Sequence, residues 1–169
     1  MTPTIRAAET PQDYAAFAAL CRDYVAWSRE RYADLPWFVE EVFGHQALDA
    51  ELADLAQKYG PPKGRTLLAL QEEAAVAGGA WHRLSKGVCE IKRLFVSDKA
   101  RGSGLGRGLT EALMADAKAA GFRTVRLDTA TRLTEAIGLY ERLGFERIAA
   151  YLDYPERLQP HIVFMERAL

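Results

Sequence analysis

Apolar positions recur along the chain with two different periods, and a change of period marks a change of element. Residues 4–8, TIRAA, are short and read as a first strand. Tyr14, Phe17, Ala18, Cys21, Tyr24, Val25 and Ser28 then step by three and four, which is one stripe of a helix. Thr10 as N-cap, Pro11 at the first helical position and Asp13 in the first turn start it. Residues 29–46 mix aromatics with charge and predict a loop with a broken helix, or part of a lid. Leu48, Leu52, Leu55, Ala56 and Tyr59 predict a second helix, stopped by Gly60 and the Pro61-Pro62 pair.

From residue 65 the period shortens to two. RTLLALQ and AAVAGGAWHRLS predict two strands joined by a tight turn at Glu72-Glu73. VCEIKRLFVS predicts a third, apolar on both faces at its far end as in a central strand. Leu105, Leu109, Leu113 and Ala117 restore a helical period up to Gly121. RTVRLDTA is a further strand, and TEAIGLYERLG a short helix with Ile137, Tyr140 and Leu143 on one side. FERIAAYL and HIVFMERAL close the chain as strands around a proline-bounded loop. The order is β-α-α-β-β-β-α-β-α-β-β, an α/β arrangement with a mixed sheet.

At 169 residues the chain suits one domain with one core. Its 22 basic and 23 acidic residues leave a net charge of −1, no footprint for nucleic acid or an anionic membrane surface. Cys21 lies on the helical stripe, and neither it nor Cys89 sits in a C-x-x-C arrangement. The first residues lack the apolar run of a secretory signal, and no stretch reaches the ~18–20 apolar residues that span a bilayer. A reducing, cytoplasmic setting is expected. His82 and His161 have no metal-ligand spacing and read as structural, while His45 falls in the irregular segment. No metal is expected.

Between the third of these strands and the helix after it, Gly102, Gly104, Gly106 and Gly108 occupy alternate positions. Glycine is the residue that loses most freedom on folding, so backbone rather than side chain is wanted there. The phosphate loop of NTPases requires G-x-x-x-x-G-K-[ST], and this stretch has no lysine-hydroxyl pair. The dinucleotide fingerprint finds its first half in Gly102 and Gly104 and Asp128 at the distance of its acid, but Arg107 stands where its third glycine belongs. A turn that merely packs closely leaves Arg101 and Arg107 without a reason. The template that fits is R/Q-x-x-G-x-G/A, as Arg101-Gly102-Ser103-Gly104-Leu105-Gly106. A helix starting near Gly104 offers free amides at its positive end, and glycines clear the approach of a phosphate to them.

With that loop, the preceding EIKRLFV and the later AIGLYERLGF, residues 88 to 150 resemble the GNAT superfamily of N-acetyltransferases. The resemblance implies a mixed, mostly antiparallel sheet of about seven strands flanked by four helices, acetyl-CoA as co-substrate and a small-molecule amine as acceptor. It implies a pyrophosphate on residues Arg101, Gly102, Ser103, Gly104, Leu105, Gly106 and Arg107; Gly108 falls outside the motif, already in the helix, and reads as close packing. It also implies a pantetheine arm along the backbone of Leu94, Phe95 and Val96, beside two splayed strands. Tyr140 takes the place of the general acid, although its face also suits a core aromatic.

Glu90 is the candidate base, being a carboxylate in a mostly apolar strand. Lys92, two residues on, suits an ion pair with it equally, and alternation turns Arg93 to the opposite face. Leu133 stands where many members of the family carry asparagine. The acceptor region implied by the resemblance holds Trp27, Arg29, Arg31, Tyr32, Trp37, Phe38, Tyr151, Tyr154 and Arg157. Arginine forks match carboxylates and phosphates, so an anionic acceptor is expected, with a peptide amine as the other choice. A non-catalytic acyl-CoA sensor would use the same cradle, and a homodimer is compatible with all of this.

Overall fold

The helix-start signal at Thr10 folds as its residue types dictate. In the computed structural model, which describes residues 3–169, strand β1 (Thr4–Ala7) leads into helix α1 (Pro11–Arg31). The Thr10 hydroxyl accepts the Asp13 amide at 3.2 Å, and the Asp13 carboxylate accepts the Thr10 amide at 3.0 Å. This is a reciprocal capping box with aspartate in the usual place of glutamate. Arg6 of β1 adds a fork of 2.7 and 3.0 Å onto the same carboxylate and so ties strand to helix.

The next segment departs from expectation. Residues 36–45, anticipated as irregular, form helix α2 (Pro36–His45), with Phe38, Val39 and Val42 buried. Pro36 sits at the helix start, where its missing N–H is harmless. The helix expected over 48–59 is two: α3 (Leu48–Ala53) and α4 (Leu55–Tyr59). Asp54 between them is extended, with φ −151°, and its carboxylate caps the Gln57 amide at 3.1 Å.

The remaining elements are β2 (Gly64–Gln71), β3 (Ala74–Ser85), β4 (Val88–Val96), α5 (Leu105–Ala119), β5 (Thr124–Ala130), α6 (Thr134–Arg142), β6 (Glu146–Ile148) and β7 (Ile162–Ala168). Among the described residues six α-helices therefore stand where four were expected. Glu72 and Glu73 are both left-handed, as a two-residue hairpin turn requires. The strand expected over 145–152 keeps only its first three paired residues, Glu146–Ile148. The seven strands of the described residues join one sheet in the order β1-β2-β3-β4-β5-β7-β6, antiparallel except between β4 and β5. On one face Phe17, Leu20 and Cys21 of α1 pack on Leu68, Ala80 and Phe95. On the other, Leu109, Leu113 and Ala117 of α5 pack on Ala77, Ile91 and Val125. A third cluster joins α2 to Leu133, Tyr154, Leu158 and Phe164. Among the described residues no helix is long and apolar enough to cross a membrane.

Two irregularities of β4 break the regular sheet. Its parallel pairing with β5 runs only from Val88↔Thr124 to Glu90↔Arg126, after which the strands part. Further on, Gly78 pairs with Phe95 and Ala80 with Lys92, so Gly79 faces both Arg93 and Leu94. This is a β-bulge, and Arg93 sits in it with φ +59°. A left-handed arginine costs about 1–2 kcal/mol. The extra residue resets the alternation: Leu94 and Val96 pack toward α5 while Phe95 joins the α1 layer. Arg93 is thereby carried onto the side of Glu90 and Lys92, not the opposite face that simple alternation predicts, and there it meets α3 and the end of α2.

The cap at Asp13 has a pH signature. The Arg6 guanidinium, with the Glu9 and Thr10 amides, holds its carboxyl well below the usual range. The stabilisation is therefore present above the unfolded-state pKa of about 4 and is lost as the pH falls below it. We expect Asp13→Ala to lower the unfolding free energy by about 2 kcal/mol at neutral pH. In denaturant titrations at a series of pH values, the gap to the parent protein should narrow steadily below about pH 4. A gap constant across that range would show that the charge takes no part.

Candidate active site

Where β4 and β5 part, a cavity of about 380 Å³ opens between them. Residues 91–96 of β4 and 127–130 of β5 form its two strand walls. Tyr24, Trp27 and Tyr32 of the α1 end, Phe38, Val39, Val42 and Phe43 of α2, and Leu139 and Tyr140 of α6 complete it. Leu94, Phe95 and Val96, expected beside a splayed pair of strands, stand on this wall.

Tyr140 lies on α6 next to the core, its ring 5.6 Å from that of Phe145. Its hydroxyl has no hydrogen-bond partner among the described residues, although the residue is only 7% exposed and lines the cavity. Burial, and then the neighbouring Tyr24 and Asp128, push its pKa up, so the hydroxyl keeps its proton at neutral pH.

Glu90 is placed differently from the expectation. It is 2% exposed, one oxygen 2.8 Å from His82 Nε2 and the other accepting the Tyr151 hydroxyl at 2.6 Å, and it stands off the cavity wall. Burial alone would raise its pKa. The hydrogen bond from His82, the Lys92 charge and the Tyr151 hydroxyl outweigh burial and hold it below the ordinary value. Lys92 does not bond to Glu90: its ammonium meets Asp128 Oδ1 at 2.9 Å. Tyr154 donates to Asp128 Oδ2 at 2.7 Å. Asp128 is thus the carboxylate on the strand walls of the cavity, which Glu135 of α6, paired with Arg31, also lines. The signal for it is the one that singles out Glu90, an acid inside an apolar strand, here TVRLDTA.

The polar chain continues away from Asp128. Gln46 Nε2 donates to the Tyr154 hydroxyl at 2.6 Å, and Arg93 Nη1 donates to Gln46 Oε1 at 2.6 Å. Arg93 Nε reaches Glu51 Oε2 at 2.6 Å, and Lys58 Nζ reaches Glu51 Oε1 at 2.7 Å. These cations outweigh burial and keep Glu51 below the usual carboxylate range. α2 and α3 are fastened to the sheet through this chain.

The glycine loop meets the cavity at one end. Gly102 and Gly104 are left-handed, with φ +75° and +82°, and α5 begins directly after them without a side-chain cap. The amides of Gly102, Gly104, Leu105, Gly106 and Arg107 find no backbone acceptor among the described residues. A Cβ on Gly102 or Gly104 would meet nothing within 4 Å, so these glycines serve conformation and approach rather than packing. Ser103 turns its hydroxyl back to the Ala100 carbonyl at 2.5 Å. Arg101 pairs with Asp98 at 2.6 Å, lies 4.7 Å from the centre of the Trp27 ring and lines the cavity. Arg107 is bound one turn along, to Glu111 at 2.9 Å. At Gly108 a Cβ would stand 3.8 Å from Ile5, so close packing does not require that glycine.

Of the residues expected around the acceptor, Trp27, Arg31, Tyr32 and Phe38 line the cavity. Tyr151 and Tyr154 instead serve Glu90 and Asp128. The arginines are engaged: Arg29 by Glu40 at 2.8 Å, Arg31 by Glu135 at 2.9 Å, Arg157 by Glu41 at 2.8 Å. Arg157 also stacks on Trp37, whose ring meets that of His161. His45 lies against Tyr154. Leu133 precedes α6 as a buried apolar residue. Among the described residues no group of three or more His, Cys, Asp or Glu is arranged to hold a metal.

Residues 15–145 match the family model described as Acetyltransferase (GNAT) family. An uncharacterised N-acetyltransferase of Schizosaccharomyces pombe is 34% identical over 164 residues, spanning 96% of this chain and 92% of its own. An acetyltransferase from Streptococcus agalactiae superposes with a TM-score of 0.76 at 24% identity, covering 100% of this chain and 99% of its own. The PaiA N-acetyltransferase of Thermoplasma acidophilum, solved in complex with coenzyme A, superposes with a TM-score of 0.75 at 16% identity over 100% of both chains. At these identities the two solved structures share the fold with this chain.

Proposed function

The chain belongs to the acetyltransferase (GNAT) family and is an N-acetyltransferase that uses acetyl-CoA; we propose that it passes the acetyl group directly to a primary amine of a small molecule held in the same cavity. The observation that carries the proposal is the continuity of the site. Arg101, at the head of the loop whose amides are unbonded, the parted β4 and β5, Tyr140 and Asp128 all border one space.

The fit to coenzyme A is physical. Unbonded amides at the positive end of a 15-residue helix, with open space around Gly102 and Gly104, suit a diphosphate. The wall at Leu94, Phe95 and Val96 offers a strand edge to an extended arm. The thioester supplies an activated acetyl group, and the residues supply position and protons. A β4 amide left without a neighbour by the splay is our candidate donor to the charge that grows on the carbonyl oxygen, an effect of about 3–4 kcal/mol where comparable donors have been removed.

Tyr140, protonated and free of other bonds, is assigned to the departing sulfur. A thiol of pKa about 8.5 leaves tolerably without help, so the contribution is moderate. We assign the amine's proton to Asp128 in place of Glu90. Both carboxylates are hydrogen-bonded on both oxygens, but Asp128 lines the cavity, whereas Glu90 stands behind it. Glu90 then acts at one remove, by holding Tyr151. A non-catalytic acyl-CoA sensor would leave the wall carboxylate and the unbonded hydroxyl without a task.

Thiol release from acetyl-CoA, followed across a panel of amines, tests the function directly. Gly104→Val places a branched side chain at a left-handed position in the anion's approach, and we expect acetyl-CoA affinity by calorimetry to fall at least ~10-fold. Unchanged affinity in a folded variant would remove the assignment of the loop. For Tyr140→Phe, kcat should drop by about 10- to 100-fold with acetyl-CoA affinity retained. Full activity would return that ring to core packing. Asp128→Asn should cost roughly 10²–10³ in kcat/KM for the amine, and Glu90→Gln considerably less. The reverse ranking would restore Glu90 as the base.

A further inference from the structure

Resting on the reading of the cavity as the acceptor's site, we infer that the acceptor is a primary amine on an apolar, preferably aromatic, body that carries no carboxylate or phosphate of its own. Two independent features lead there.

The first is the charge inventory of the wall. Among the described residues four cations border the cavity, and each already has a carboxylate. Arg31 has Glu135 at 2.9 Å, Lys92 has Asp128 at 2.9 Å, Arg93 has Glu51 at 2.6 Å and Arg101 has Asp98 at 2.6 Å. Arg93 Nη2 is the one nitrogen of these four side chains that is both unbonded and fully buried. An anionic group entering the cavity would lose its hydration and find each cation already beside a carboxylate, whose repulsion it would meet. The anionic acceptor suggested by counting arginines in the sequence is thereby disfavoured, because Arg29, Arg31 and Arg157 of that count all have glutamates beside them.

The second feature is the aromatic packing. Tyr24 of α1 stacks on Trp27 at 6.1 Å, meets Phe43 of α2 edge-on at 5.8 Å and lies 5.5 Å from Phe95 of β4. All four rings stand on the cavity wall, and they come from three different elements. Rings braced against one another hold a rigid apolar surface at little entropic cost, which suits contact with an aromatic partner. Among the described residues two carboxylates stand on the wall, Glu135 and Asp128, each paired with a cation. Asp128 stands on a parted strand and shares the cavity with Tyr140, so the amine meets a carboxylate at the reacting end while its body faces rings.

Matched pairs of amines test this with the unaltered protein. 2-Phenylethylamine is set against phenylalanine, tryptamine against tryptophan and isoamylamine against leucine, with thiol release as the readout. In each pair we expect the carboxylate-free member to have a kcat/KM at least ~10-fold higher. The two aromatic amines should exceed isoamylamine. Phe43→Ala, at a partly exposed position, should reduce the advantage of 2-phenylethylamine over isoamylamine by several-fold. Equal or better turnover of the amino acids overturns the inference and leaves the N-acetyltransferase reading intact. Turnover of no amine in the set, with acetyl-CoA still bound, overturns it also. Loss of acetyl-CoA binding itself would instead strike the underlying reading of the site.

Discussion

A parallel strand pair that holds for three register positions and then opens is the constraint on which the molecule turns. Up to Glu90 and Arg126 the sheet is continuous, and beyond them the facing backbone of β4 and β5 has no neighbour across the gap. Buried backbone groups are almost always paired in folded proteins, so an opening in the middle of a sheet is tolerable only if something else enters it. α5 follows β4 and α6 follows β5, so the glycine loop and Tyr140 arrive at the mouth of the opening through chain connectivity. The position of the chemistry follows from the position of the split.

Across that split the direct side-chain bridge is Lys92 to Asp128, and from it a chain of short hydrogen bonds runs through Tyr154 and Gln46 to Arg93 and Glu51. Buried ion pairs lose about as much in desolvation as they gain in attraction, so such a chain adds little net stability. What it does is set distances. α2 carries apolar wall residues, and its C-terminal end is joined to β4 and to the β6–β7 connection through one glutamine amide that donates at one end and accepts at the other. Asp128 is thereby held at the wall by groups from separate elements.

Effects that depend on neighbours in sequence are legible in the sequence itself. Thr10, Pro11 and Asp13 mark a helix start within four residues, and Arg101 to Gly106 mark a glycine loop at a helix start within six. The place of Tyr140 on a short helix is legible for the same reason, since that helix is marked by its own residues. Asp128 and Arg93 are not. The role of Asp128 depends on which carboxylate Lys92 selects across a strand boundary, and the placement of Arg93 depends on a bulge that no period-two count reveals. α2 is obscured because its apolar face, Phe38, Val39 and Val42, is interleaved with Trp37, Glu40 and Glu41 and follows a proline. The pairing of the surface arginines is not legible either, for a plainer reason. Composition reports the cations near a site but not the glutamates that fold beside them.

The bulge at Arg93 divides β4 as a dislocation divides a crystal row. Residues before it and residues after it obey the same alternation but in opposite phase, so the strand presents Cys89 and Ile91 to one layer in its first half and Leu94 and Val96 to that same layer in its second. The two halves are therefore independent as engineering units. Side chains in the portion paired with β5 can be exchanged without rotating the portion that borders the cavity, because the slip between them absorbs the mismatch. Straightening the strand with every residue kept would instead exchange the occupants of the two layers along the cavity wall, placing Phe95 where Val96 now packs, whereas deleting Arg93 would leave Leu94, Phe95 and Val96 on their present layers.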